Sequence, residues 1–363
     1  MTAPIHRIEP LQALRGLAAF LILAKHALYE VDLISPIDFN YGNYRFYVIG
    51  IDIFFVLSGF IMVYTSWGKS GLGAAKTFMF RRIIRIVPIY WFYTAVLALI
   101  ALFLPQVLDK AEFIPIEFLK SLFFIPYINS AGDLQPLLAN GWSLNYEMYF
   151  YVVFALCLIL PARYTLIALS VFFISIVATD CFGLEGVLAD FYSRPIILEF
   201  LAGSIIGYLY MKGDRLPNWC FWLGWLFTGA VMFALLYTDT LIEAGINYNK
   251  PIIAVIMIAL LVLPKQAAGF KMPRWSVVAG DASYSIYLSH PFAIGAVTQA
   301  VLLFGMEGII HPWMIFLTIV AVSLIGGVIA YYILEKPLLS FTKGFIKKEQ
   351  TPAPQESPHE KRI

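Results

Sequence analysis

The sequence predicts an all-α polytopic membrane protein: a bundle of about ten transmembrane helices with both termini in the cytoplasm. Three observations carry that prediction. Of 363 residues, 60% are hydrophobic, 16% aromatic and only 13% charged, whereas an average soluble domain is roughly a quarter charged. Ten apolar runs follow one another, most of them near the ~20 residues a helix needs to cross a bilayer. Lys and Arg alternate in density from one connection to the next, and that bias sets orientation. A soluble fold of this size could not hide so much apolar surface; in a membrane it faces lipid.

The runs are 11–29, 47–66, 86–104, 142–160, 163–179, 195–211, 219–237, 251–264, 283–304 and 312–334. The first has the length of a signal peptide. Only His6 and Arg7 precede it as basic residues, Arg15 interrupts it, and no small-residue cleavage site follows, so it reads as an uncleaved helix. Run 251–264 is short, which implies a thin, tilted or flank-extended span. A tight Pro-Ala turn separates the fourth run from the fifth. With the N-terminus inside, 18 of the 25 Lys and Arg residues fall in cytoplasmic segments. Five fall outside: Arg45, Lys110, Lys120, Arg194 and Lys250. The remaining two, Arg15 and Lys25, lie within the first run. Trp67, Trp142, Trp219, Trp275 and Trp313 sit near run ends, as interface anchors do.

Between the runs, the outer segment 105–141 contains an apolar stretch, 113–127, broken by Pro115 and Pro126. It is expected to lie on or dip into the outer leaflet. Residues 1–340 read as one transmembrane domain, and 341–363 as a polar, disordered cytoplasmic tail. No internal repeat or soluble second domain is visible. Cys157, Cys181 and Cys220 have neither metal-type spacing nor a disulfide pattern, so no metal is expected. The net charge of +2 is too small to point to nucleic acid.

Ionisable groups inside a membrane are costly and mark function by default. Here they are Arg15, Lys25, His26, Asp52, Glu147 and Glu199. Arg15 and His26 are eleven residues apart, which is close to three helical turns; both share one face, roughly 16 Å apart along the axis. Counted from the run ends, His26, Asp52, Glu147 and Glu199 all lie about one turn or slightly more below the outer surface. They are therefore expected to converge in one outer layer. On the inner side, Arg81, Arg82 and Arg85 form Arg-Arg-Ile-Ile-Arg. With Arg15 they make a candidate phosphate-binding mouth, since guanidinium forks match phosphate oxygens.

Five motifs occur in order: Arg15-x10-His26, Gly50-Ile-Asp-Ile-Phe-Phe-Val-Leu-Ser-Gly-Phe60, Arg82-Ile-Ile-Arg85, Trp142-Ser-Leu-Asn-Tyr-Glu147 and Ser283-Tyr-Ser-Ile-Tyr-Leu-Ser-His290. Together they resemble the membrane acyltransferase 3 family over nearly all of 11–337. The resemblance implies transfer of an acyl group, usually acetyl from cytoplasmic acetyl-CoA, to hydroxyls of extracytoplasmic or lipid-linked glycans. The chain resembles the stand-alone members, including exopolysaccharide O-acetyltransferases, of the cytoplasmic (inner) membrane. On that reading Arg82, Arg85 and Arg15 hold the CoA phosphates, with Ser283 and Tyr284 beside them. The pantetheine arm runs up the bundle and presents the thioester near His26. His26 is the general base, Glu147 orients its imidazole, and Asn145 or Ser143 donates to the oxyanion. An acyl-histidine intermediate is the alternative route. Asp52, Glu199 and His290 fall on the acceptor side.

Plainer readings stand beside these. His26 and His290 can be hydrogen-bonded structural histidines. Arg81, and less so Arg82 and Arg85, can be topology residues. Asp52 and Glu199 can merely stabilise the bundle, and Lys25 can snorkel. His6, His311 and His359 read as surface residues. A proton-coupled transporter or flippase of a glycan or small anion would use a similar polar layer, although the paired broken helices and inverted repeats of such proteins are not visible.

Overall fold

The computed structural model describes residues 7–35, 49–108, 112–182, 186–237 and 247–340. The tail 341–363, with His359, lies outside the described residues, as do His6, Arg45 and Lys110. The helices are α1 (Glu9–Ile34), α2 (Ile49–Ser66), α3 (Leu72–Phe103), α4 (Pro115–Leu122), α5 (Trp142–Leu158), α6 (Ala162–Ala178) and α7 (Val187–Tyr192). They continue as α8 (Leu198–Lys212), α9 (Trp219–Tyr237), α10 (Asn247–Val262), α11 (Arg274–Asp281), α12 (Ser283–Leu303) and α13 (Pro312–Ala330), the last running into a π-helical turn, Tyr331–Glu335. No strand occurs among the described residues.

Each of the ten apolar runs falls on a helix. Among the described residues, five helical stretches are long and apolar enough to cross a membrane: Ile49–Ser66, Leu72–Phe103, Pro195–Lys212, Ser283–Leu303 and Pro312–Ser340. Three more, Ala162–Ala178, Trp219–Phe233 and Asn249–Val262, are apolar but shorter. Helix α1 is long, 26 residues, yet carries Glu9, Arg15, Lys25, Glu30 and Asp32. Outward faces carry large exposed apolar side chains such as Phe103 (71%), Leu226 (69%) and Leu303 (82%). Surface of that kind needs lipid beside it, and the protein is a membrane protein.

Where helices cross closely, small residues allow it. A Cβ at Gly203 of α8 would sit 1.9 Å from the Val56 carbonyl of α2, and one at Gly59 of α2 would sit 1.9 Å from the Phe200 carbonyl. The two backbones are in contact, and Gly203 and Gly207 give α8 the small-xxx-small spacing that permits this in lipid. Phe55, Phe200 and Phe150 then stack, with centroids 4.4 and 4.7 Å apart, and tie α5 to the α2–α8 seam. At the other side α1 crosses α11, where a Cβ at Gly280 would meet the Gln12 carbonyl at 2.0 Å. Arg7 pairs with Asp281 at 2.5 Å beside that crossing. Glu9 accepts from Lys271 Nζ (3.0 Å) and from the Met272 amide (2.8 Å). Those two contacts hold the Glu9 carboxyl below its ordinary range.

The stretch expected on the outer leaflet folds back onto α3. Trp91 Nε1 donates to the Leu122 carbonyl at 2.8 Å, and Phe124 stacks on Tyr90 at 4.8 Å. Ser121 Oγ meets the Tyr127 hydroxyl at 2.8 Å and accepts from the Leu137 amide at 2.9 Å. The chain is then led inward. Asn140 and Gly141 are buried, with Gly141 against the Tyr90 ring. Pro291 in α12 has no amide hydrogen, so the Tyr287 carbonyl one turn back lacks its helical partner. Asn140 Nδ2 supplies one at 2.5 Å. Helix α5 therefore starts inside the bundle rather than at its rim.

Candidate active site

Helix α3 extends fourteen residues N-terminal of the apolar run on which it was read, because the basic stretch 76–85 is itself helical. Arg82 and Arg85 are then one turn apart on one face. Together with Arg15 and Gln12 of α1, Ser283 and Tyr284 of α12, and Ser143 and Glu147 of α5, they line a cavity of about 400 Å³. Arg81 is exposed and outside the lining. Among the described residues no ion pair engages Arg15, Arg82 or Arg85. Arg82 lies over the Phe78 and Tyr151 rings at 5.5 and 5.7 Å. Its Nε, Gln12 Oε1 and Ser283 Oγ are buried without a hydrogen-bond partner. Buried polar atoms are normally satisfied; two orphans able to donate, Arg82 Nε and Ser283 Oγ, beside three guanidinium groups without an ion pair suit an anionic ligand that brings acceptors, and Gln12 Oε1 is open to a donor.

Glu147 belongs to this cavity. It accepts from Ser58 Oγ at 3.0 Å and from the Tyr151 hydroxyl, four residues on along α5. Ser58 lies six residues, about 9 Å, further along α2 than Asp52. Glu147 thus sits deeper than the outer layer in which it was expected. The depth count assumed that run 142–160 starts at the membrane surface, whereas α5 starts inside the bundle. Among the described residues no hydrogen bond joins Glu147 to His26.

His26 faces His290 instead. His26 Nδ1 and His290 Nε2 are 3.1 Å apart, and the ring centroids are 5.1 Å apart with 19° between planes. His290 is buried, 1% exposed, and its Nδ1 donates to the Ile286 carbonyl at 3.3 Å. Tyr287 touches both regions. It lines the cavity, its ring centroid is 5.9 Å from that of His290, and its hydroxyl meets Ser143 Oγ at 2.7 Å and the Asn140 carbonyl at 2.5 Å.

Asp52 and Glu199 form a third group. Both are buried at the α2–α8 seam, beside one another, with Lys250 of α10 near enough to act on Asp52. The expected single layer is therefore three groups: Glu147 with the arginines, Asp52 with Glu199, and His26 with His290. Asn145 is buried, but two residues along a helix is a turn of about 200°, which takes it away from Ser143 and Glu147. It is not in the cavity lining, and its Oδ1 has no partner.

Sequence reading missed several residues that shape the site. Tyr151 carried a signal, the i,i+4 spacing from Glu147. Ser58 and Tyr287 stood within recognised motifs but had no charge to single them out. Glu335, given no role in the sequence, is buried, 1% exposed, and Ser285 Oγ donates to its Oε2 at 2.6 Å.

The family model described as an acyltransferase domain, that of the acyltransferase 3 family, matches residues 9–332. The chain is similar to the exopolysaccharide production protein ExoZ of Rhizobium meliloti. The two are 38% identical over 303 residues, which is 80% of this chain and 89% of that protein. It is more distantly similar to the peptidoglycan O-acetyltransferase OatA of Listeria monocytogenes, 25% identical over 94% of this chain but only 58% of that protein. No solved structure matches the chain. Among the described residues no group of His, Cys, Asp and Glu could hold a metal ion.

Proposed function

The chain belongs to the acyltransferase 3 family, and from that premise we propose that this membrane acyltransferase carries acetyl from cytoplasmic acetyl-CoA to a hydroxyl of an extracytoplasmic or lipid-linked polysaccharide. The observation that carries the reading is the arginine-lined cavity, whose unpaired guanidinium groups and orphaned Arg82 Nε and Ser283 Oγ suit the phosphates of a CoA ester. Arg15, Arg82 and Arg85 hold the phosphates, and Ser283 and Tyr284 line the same wall. The volume falls within the range of small-molecule sites, roughly 300–1,000 Å³. The donor enters from inside, since the basic N-terminal end of α3 is the cytoplasmic end in a ten-span arrangement with both termini in the cytoplasm.

The acetyl group travels along the α1 axis, roughly 16 Å, from Arg15 towards His26. There the imidazole takes the proton of the acceptor hydroxyl, being the only side-chain type that titrates near neutrality unperturbed. Glu147, placed among the arginines, balances their charge and fixes Tyr151 and Ser58. Ser143, held by Tyr287, is the one of the two oxyanion candidates that lines the cavity. The similarity to ExoZ favours an exopolysaccharide as acceptor.

The test is acetyl-CoA binding to purified full-length protein by calorimetry, beside transfer of labelled acetyl to polysaccharide from the producing cell. Saturable binding lost in Arg85→Ala, with transfer lost in His26→Ala, is the expected pattern. A wild-type protein that binds no CoA ester would sink the reading.

A further inference from the structure

We propose that His290 is the positioning residue of the transfer reaction: it fixes His26 as the Nδ1–H tautomer and so leaves the Nε2 lone pair for the acceptor hydroxyl. The inference rests on the reading that His26 is the base. It goes beyond it by naming the group that makes the ring a base at a defined nitrogen.

The geometry orders the protons. A carbonyl oxygen only accepts, so the contact from His290 Nδ1 to the Ile286 carbonyl at 3.3 Å requires a proton on Nδ1. The Tyr287 carbonyl, left without a helical amide by Pro291, faces the same ring. A neutral imidazole carries one proton, so His290 Nε2 is an acceptor. The atom 3.1 Å from it is His26 Nδ1, which must then be the donor. The tautomer of His26 is thus set by the one acceptor its Nδ1 meets, His290 Nε2.

The rings are not face-stacked. Their planes differ by 19°, and the centroid separation of 5.1 Å exceeds the N···N distance by about two ring radii. That is the signature of an end-on, nearly in-plane N–H···N bond. His290 is fully buried, whereas His26 is half-buried. The pair is therefore anchored at one end and accessible at the other.

The step balances without further reagents. The acceptor O–H proton moves to His26 Nε2 as the oxygen attacks the thioester carbonyl carbon. The C–S bond breaks, and the departing thiolate takes the proton back from Nε2. His290 keeps its own proton on Nδ1 throughout and holds the hydrogen bond from His26 Nδ1–H. A neutral acceptor orients the ring without drawing a second proton onto it, which keeps His26 available as a base. A carboxylate in that place would favour the imidazolium.

The chain has five histidines, so 15N spectra of histidine-labelled full-length protein in detergent are tractable, with His26→Gln identifying the His26 signals. Wild type should show a protonated Nδ1 and a bare Nε2, the reverse of the tautomer preferred in water. His290→Met, of similar volume and with no comparable acceptor, should shift His26 towards Nε2–H. It should lower kcat by about tenfold or more while leaving the acetyl-CoA KM within about twofold. His290→Gln, whose amide oxygen can accept from Nδ1–H, should recover part of both. A wild-type His26 protonated at Nε2 overturns the inference. So does a His290→Met protein with full kcat, or equal losses in the Met and Gln variants with the tautomer unchanged. Transfer that survives in His26→Gln overturns the base reading and the inference together, whereas the tautomer itself is read without turnover.

Discussion

The arginine-lined cavity and the histidine pair adjoin across Tyr287, yet they are built on opposite plans. In the cavity, charges outnumber partners: three guanidinium groups have no ion pair among the described residues, and three polar atoms are buried and unsatisfied. At the histidine pair, the one hydrogen bond that matters is made within the protein, and the buried ring is anchored to its own helix. The difference separates two tasks. A surface that recognises a ligand leaves its hydrogen bonds open for that ligand to close. A device that moves a proton needs its geometry set beforehand, so its bonds are closed already.

Substitutions can break that contrast, and the largest effect is expected at the base. His26→Ala should lower transfer by about 10²–10⁴-fold, the usual worth of a general base, with acetyl-CoA affinity unchanged. His26→Gln should fail as well, because glutamine hydrogen-bonds but takes no proton. Rates of labelled acetyl transfer beside calorimetric binding separate the two quantities. If both variants also lose donor binding, the division at Tyr287 is wrong.

Next come the arginines. Arg82→Ala and Arg85→Ala should each weaken donor binding by roughly 1.5–3 kcal/mol, the worth of a charge-assisted contact, which is about ten- to a hundredfold. Membrane levels should hold, since the bare charges contribute no ion pair to the fold. An unchanged KM would reduce both residues to topology signals.

Glu147→Gln sharpens the boundary. As a cavity residue it should alter the acetyl-CoA KM by several-fold and leave the His26 tautomer untouched. A fall in kcat alone would return Glu147 to the role first expected, orienting His26. Gly203→Ala should act on both regions at once. Its Cβ meets backbone, so the α2–α8 seam must open, at about 1–3 kcal/mol, seen as a lower melting temperature in detergent. The smallest effect is expected at Glu9. Its carboxyl is held below the ordinary range, so its contact contributes fully above the unfolded value and is lost as pH falls through the lowered one. Proteolysis of the N-terminal segment, compared at neutral and acid pH, checks this.

Orientation has its own test. In a cysteine-free background, cysteines introduced at Ser130 and Asp190 should react with an impermeant reagent from outside, and one at Gly68 should not.

Much of this was legible in the sequence, and what was not has a common cause. The ten apolar runs fell on helices because bilayer length and hydropathy act on each segment separately. Arg15, Arg82 and Arg85 line one cavity, and their common depth could be counted from the same end of their helices. Glu147 went astray because depth was counted from Trp142 as though α5 began at the rim. The inward path of 123–141 depends on Phe124 against Tyr90 and on Asn140 reaching the carbonyl freed by Pro291, and neither pairing is local in sequence. His290 was placed on the acceptor side without a partner, since nothing in the spacing within α12 shows that α1 brings His26 to it.

A polar cavity inside a bilayer is half of an ion channel. On the proposed reading, with the donor among the arginines and a hydrophilic acceptor beyond His26, the residues between the two sites must keep the membrane electrically tight. Tyr287, which lines the cavity and faces the His290 ring, is one of them. Its hydroxyl is tethered to both Ser143 and the Asn140 carbonyl, and Phe54 lies against its ring at 6.2 Å. On that reading a two-carbon acyl group on a slender thioester must pass beside this ring, where a hydrated ion would have to shed its water to follow. The same seal sets a ceiling on cargo: the bulkier the acyl chain, the more the tyrosine must yield, and the more current the cell would leak for each group delivered.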